Sequence, residues 1–98
     1  MIRNVVVGRA KDGVTDEQVD AAVEAMRGLR VEGVTLRLTG GRDLGLKEGN
    51  ASFSLVVDLD DAEAYKAYDT DPEHNRIRAE YFAPIFESIS RVQFSLPD

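Results

Sequence analysis

The stretch LDDAEAYKAYDTDPEHNRIRAEYFAPIFESI, residues 59–89, decides how the chain is read. It leaves a strand at Leu59 and then carries two helix-start signals. Asp60 with Glu63 three residues on has the spacing of a capping box, in which each side chain bonds the other's backbone N–H. Asp71 followed by Pro72 is a second start, because proline at the first helical position gives up a donor that has no partner there anyway. The Asp69–Pro72 segment therefore predicts a corner between two helices. Tyr65 and Tyr68 are neighbours on the first helix. On the second, His74, Ile77, Tyr81 and Ile85 recur at helical spacing, and Phe82, Phe86 and Ile89 widen that stripe into a face suited to covering a sheet. Pro84 is expected to kink this helix. The stretch holds all three tyrosines and the only histidine, so any chemistry is expected at or near the corner.

Working outward, four segments read as strands. Ala51 to Leu59 (ASFSLVVDL) alternates, with Phe53, Leu55, Val57 and Leu59 on one face and Ser52, Ser54, Val56 and Asp58 on the other. Gly33 to Gly40 (GVTLRLTG) alternates as well, and Gly40–Gly41 is expected to break it. Ile2 to Gly8 (IRNVVVG) is rich in β-branched residues, but both its faces carry valine, so its phase is open. Asn4 is polar within this apolar strand and needs a partner if buried. Arg91 to Leu96 (RVQFSL) closes the chain, with Val92, Phe94 and Leu96 on one face. Between the first two strands, Thr15 and Gln18 have capping-box spacing, and Val19, Ala22, Val23 and Met26 form the buried stripe of a helix ending near Gly28.

The order strand, helix, strand, strand, split helix, strand specifies an α+β fold. It is a ferredoxin-like four-stranded antiparallel sheet with helices on one face, in one domain over residues 1–98. The other face, carrying Val5, Val7, Thr35, Arg37, Thr39, Ser54 and Val56, has no layer to cover it. A symmetric homodimer through that open sheet face would shield the valines.

Composition narrows the function. The 98 residues are 43% hydrophobic and 31% charged, an ordinary globular mixture with enough apolar side chains for one core. A formal charge of −6 disfavours a nucleic-acid or anionic-membrane surface. No run is long enough to span a membrane and the N-terminus lacks a signal-peptide pattern, so a cytoplasmic location is expected. There is no cysteine, which excludes disulfides and thiolate metal sites. The glycines form no nucleotide-binding fingerprint. Asp58, Asp60, Asp61, Asp69, Asp71 and Glu73 make an acidic neighbourhood that does not match a calcium loop, and helix capping with solvation is its plain reading.

The opening MIRNVVVGRAKDGVTDEQV, the strand ASFSLVVDLDD, the spacing Tyr68-x-x-Asp71-Pro72-x-His74 and the closing FAPIFESISRVQFSL resemble the stress-responsive dimeric α/β-barrel family from Met1 to about Leu96. That resemblance implies dimers in which two ferredoxin-like sheets pack as a barrel. Some members are polyketide cyclases with a cavity between sheet and helices. Their cavity histidine on the first strand corresponds to Asn4 here, the corner tyrosine to Tyr68, and the histidine after the proline motif to His74. A histidine that commonly precedes the proline is Asp71 here. Two of four polar markers are thus changed. The resemblance also raises magnesium and haem, for which no motif in this chain provides a site, and no cofactor or metal is assigned.

Three readings stay open. The chain is a structural dimer module; or a small cyclase or isomerase acting on an enolisable or polyketide-like substrate; or a noncatalytic binder of a small aromatic or carbonyl ligand. In the enzyme reading His74, held neutral near a helix start, is the base, and Tyr68 is the oxyanion donor. The residues expected to contact the ligand are Asn4, Leu55, Val57, Tyr81 and Phe86. In the structural reading His74 starts a helix and Tyr68 packs.

Overall fold

The structure, a computed structural model, describes residues 1–97. Asp98, the last residue of the expected domain, lies outside the described residues. The strands are β1 (Ile2–Ala10), β2 (Arg37–Arg42), β3 (Phe53–Leu59) and β4 (Phe86–Ser95). The helices are α1 (Asp16–Arg27), α2 (Ala62–Thr70) and α3 (Pro72–Ile77), and α3 runs directly into a π-helical turn, Arg78–Phe82. The strands form one antiparallel sheet in the order β2-β3-β1-β4, the ferredoxin-like arrangement. Among the described residues no helix is long and apolar enough to cross a membrane.

Register settles the phase of β1. Asn4, Val6 and Gly8 stand opposite Val57, Leu55 and Phe53, so they share the face on which β3 is buried. The helices cover this face. The core joins Val19, Ala22, Val23 and Met26 of α1 to the inward residues of β3, with Tyr68, Ile77 and Phe82 from the later helices. Helix α1 starts as its sequence dictates: the Thr15 hydroxyl accepts from the Gln18 N–H at 3.2 Å, and Gln18 Oε1 accepts from the Thr15 N–H at 2.8 Å.

Of the boundaries that differ from the sequence reading, four bear on the site. Helix α2 is capped by Asp61, whose carboxylate accepts from the Ala64 N–H at 2.9 Å, so Asp60 and Glu63 form no capping box. Strand β2 begins only at Arg37, because its partner β3 ends one residue beyond the Arg37–Asp58 pair, at Leu59. It also continues through Gly40 and Gly41, which pair with Leu55 and Ser54. The helix from Pro72 does not reach Ile89. It ends at the π-helical turn, and Pro84 lies in the turn that follows it, where a residue lacking an N–H costs no helical bond. Phe86 and Ile89 therefore belong to β4.

A bulge explains the helix-like spacing of those two residues. Phe86 pairs with Ala10 and Ser88 with Arg9, so β4 carries one extra residue against β1. Phe86 and Ile89 are three apart, yet both face the core side. Phe86 closes an aromatic cluster with Phe53 and Phe82, with ring centroids 4.5 Å and 5.5 Å away respectively. Gly8 makes room for it: a Cβ there would lie 2.5 Å from the Phe53 ring.

Candidate functional site

The corner between α2 and α3 is built around one carbonyl. The Tyr68 C=O accepts from the Asp71 N–H at 3.3 Å and from His74 Nδ1 at 2.7 Å. A carbonyl only accepts, so Nδ1 carries the proton and the neutral ring keeps its lone pair on Nε2. Asp71 caps α3, accepting the His74 N–H at 2.9 Å. The His74 ring lies flat against the Tyr68 ring, with centroids 4.1 Å apart and planes 24° apart. The Asp-Pro spacing therefore fixes both aromatic rings, each 5% exposed.

Burial sets the protonation of the pair. It pushes the His74 pKa down, opposed by the hydrogen bond to the Tyr68 carbonyl, so the imidazole is neutral at neutral pH. Burial, then the neighbouring Tyr65, pushes the Tyr68 hydroxyl up to about 12, so it remains a donor. Neither that hydroxyl nor His74 Nε2 bonds a described residue. Neither is sealed off, since no enclosed side-chain polar atom among the described residues lacks a partner.

Tyr68 lines a cleft of about 430 Å³ between the helix side of the sheet and the π-helical turn. Val6, Leu55, Met26, Phe82 and Ile89 supply its apolar surface. Asn75, Arg78 and Arg91 supply its polar groups. The turn itself shapes the cleft: the Ala83 N–H bonds the Arg78 carbonyl five residues back, and Arg78, Ala79, Phe82 and Ala83 all border the space.

The structure distributes the expected site residues over several places. Tyr68 and Leu55 border the cleft, and His74 stacks on Tyr68 without bordering it. Asn4 is buried and accepts a 2.7 Å hydrogen bond from Gln93, its cross-strand partner, whose amide also reaches the Tyr65 hydroxyl at 3.5 Å. Val57 is core, and Phe86 belongs to the aromatic cluster. Tyr81 is 38% exposed and borders a separate groove with Glu73 and Arg76. Arg78 and Arg91 were not among the expected contacts. Arg91 alternates with Ile89 and Gln93 on the inward phase of β4, and correct placement of that strand's start would have revealed it. Among the described residues no group of His, Asp or Glu is arranged to hold a metal ion.

A ferredoxin-like sheet with helices on one face, and a cleft opening between the two layers, defines the class of this protein. Residues 2–96 match the Stress Responsive A/B Barrel Domain, or Dabb, and the chain belongs to that family. It is similar to a dimeric ferredoxin-like protein of unknown function from Thermobifida fusca YX: 34% identity, 97% of this chain and 90% of that one covered, TM-score 0.85. An Arabidopsis thaliana protein shares the fold at 17% identity, with 100% and 97% coverage and TM-score 0.82. So does the hydroxynitrile lyase of Passiflora edulis, at 16% identity, with 99% and 94% coverage and TM-score 0.79. No curated protein matches the chain. Family membership establishes the architecture and leaves the activity unresolved.

Proposed function

We propose that this chain is a homodimeric small-molecule binding domain whose ligand lies in the cleft beside Tyr68. The observation that carries this reading is the cleft of about 430 Å³, of the size that holds small organic ligands. It combines apolar walls with an unpartnered phenol fixed by stacking on His74. Dimerisation is supported by the uncovered sheet face and by the dimeric Thermobifida relative.

The test uses N-phenyl-1-naphthylamine, a neutral apolar fluorophore, as the probe. Saturable binding at one site per protomer is expected. Ala79→Trp, which places an indole at the exposed mouth of the cleft, should weaken it at least tenfold while leaving thermal melting within a few degrees. Non-saturable fluorescence, or an Ala79→Trp titration indistinguishable from wild type, would reject the site.

One observation favours a catalytic elaboration of the same site. Neutral His74 keeps a lone pair on the unsealed Nε2, and Tyr68 keeps its proton. For a bound enolisable carbonyl compound that reaches past Tyr68 to Nε2, which lies outside the cleft lining, His74 would be the base and Tyr68 the donor to the developing oxyanion. This extension predicts deuterium exchange of an enolisable ligand's α-proton by the wild type and none by His74→Gln. Without such exchange, His74 is a positioning residue for Tyr68.

A further inference from the structure

We infer that the cleft is selective for a small apolar monoanion, an aromatic or branched aliphatic carboxylate, whose charged end meets Arg91 and Arg78 while its body lies on the apolar wall. This rests on the small-molecule reading above and names the ligand class. The chain carries 18 acidic residues against 12 basic ones, yet the cleft is bordered by two arginines and no carboxylate. Four other surface depressions each include at least one carboxylate among their bordering residues. The positive character of this cleft is therefore local and opposes the net charge of −6.

The two arginines differ in how far they are committed. Arg78 reaches Asp69 at 3.5 Å and Asn75 at 3.3 Å, long contacts that leave most of its donors unused. Arg91 makes no ion pair with a described residue. It stands on the inward phase of β4 opposite Val6, itself a cleft residue. Burial and Tyr65 raise the Tyr68 hydroxyl's pKa; both arginines lower it, while Asp69, the 3.5 Å partner of Arg78, raises it, so these groups share one electrostatic neighbourhood in which Arg91 is the cation without a carboxylate partner among the described residues. Because that hydroxyl stays protonated, it adds a neutral donor to two cationic ones. A carboxylate accepts from all three, through the planar fork of an arginine and a phenolic O–H. A neutral ligand would leave the arginines' charge unused, and a dianion of polyphosphate type would find an apolar wall where its second charge would sit.

The experiment compares two fluorophores of nearly the same shape on the full chain: anionic 8-anilinonaphthalene-1-sulfonate and neutral N-phenyl-1-naphthylamine. The readout is the ratio of their dissociation constants. Wild type is expected to favour the anion about tenfold or more, and Arg91→Gln to bring the ratio toward one. Arg91→Lys, which keeps the charge but loses the fork, should retain part of the preference. Benzoate and cyclohexane carboxylate should displace the anionic probe, whereas benzamide should not. Equal affinities in wild type, or a ratio unchanged in Arg91→Gln, would overturn the anion selectivity and leave the small-molecule reading standing. Failure of both probes to bind would overturn both.

Discussion

At Gly40 the backbone of β2 comes so close to β3 that no side chain fits. A Cβ there would lie 2.2 Å from the Ser54 carbonyl oxygen and 2.9 Å from Leu55 Cα, and φ is +148°, a region L-residues rarely adopt. Neighbouring Gly41 has neither constraint: its Cβ would meet nothing within 4 Å. Gly40→Ala should therefore cost about 1–3 kcal/mol through backbone strain, lowering Tm by roughly 4–24 °C for a domain of this size. Gly41→Ala should melt close to wild type. Parallel thermal melts check the contrast, and equal melting of the two variants would refute it. The pair also shows what single residues reveal. Gly-Gly reads as a strand break when only its flexibility is considered, whereas here Gly40 is what lets the strand continue. Tyr68 and His74 were legible because capping chemistry fixes their corner. Asn4 was legible as a polar residue in need of a partner, although its partner Gln93, 89 positions away, was not.

At the scale of elements, Asp71 ties the corner together through both its side chain and its backbone. Its carboxylate caps α3 through the His74 N–H, its own N–H bonds the Tyr68 carbonyl, and its carbonyl accepts from Asn75 at 3.0 Å. Asp71→Ala removes only the first of these and should cost about 1 kcal/mol, a fall in Tm of about 4–8 °C. Asp71→Asn, which can still accept at the cap, should recover most of that loss. If Asp71→Ala melts with wild type, the cap is not what holds the corner. The helix after it was legible at its start and misread at its end. Phe82, Phe86 and Ile89 are spaced four and three apart, which suits one helical face. The same spacing arises here from a π-helical turn, a proline-containing turn and a β-bulge in succession. Periodicity alone does not separate these, and the position of the cleft follows from the π-helical turn. That is why Arg78 and Arg91 were invisible as cleft residues while Tyr68 was not.

The whole molecule is one sheet with one covered face, an arrangement its strand alternation already implies. The uncovered face holds more apolar surface than the sequence reading gave it. Register places Val92 opposite Val5 and Phe94 opposite Arg3, so β4 adds both to the patch of Val5, Val7 and Val56. Val92 is 59% exposed and Phe94 42%, values that suit residues awaiting a partner better than residues of a finished core. Beside them Arg3 forms a two-pronged ion pair with Asp58, at 2.8 and 2.9 Å, and holds the Asp58 carboxyl below the usual carboxylate range. That charge is already satisfied, so covering it would not leave an unpaired ion in the interface. A stable interface needs roughly 800 Å² per partner, and Val92 and Phe94 extend the apolar patch onto the edge strand. Val92→Glu combined with Phe94→Glu changes side chains that touch water in the isolated protomer, so the fold should survive. In the proposed dimer it would set repelling carboxylates on the shared face. Sedimentation at micromolar concentration should show wild type at twice the 10.8 kDa chain mass and the double variant at the single mass, with circular dichroism unchanged. A wild type of single mass would remove the dimer from the proposal; a double variant still at twice the mass would move the interface to another face of the molecule.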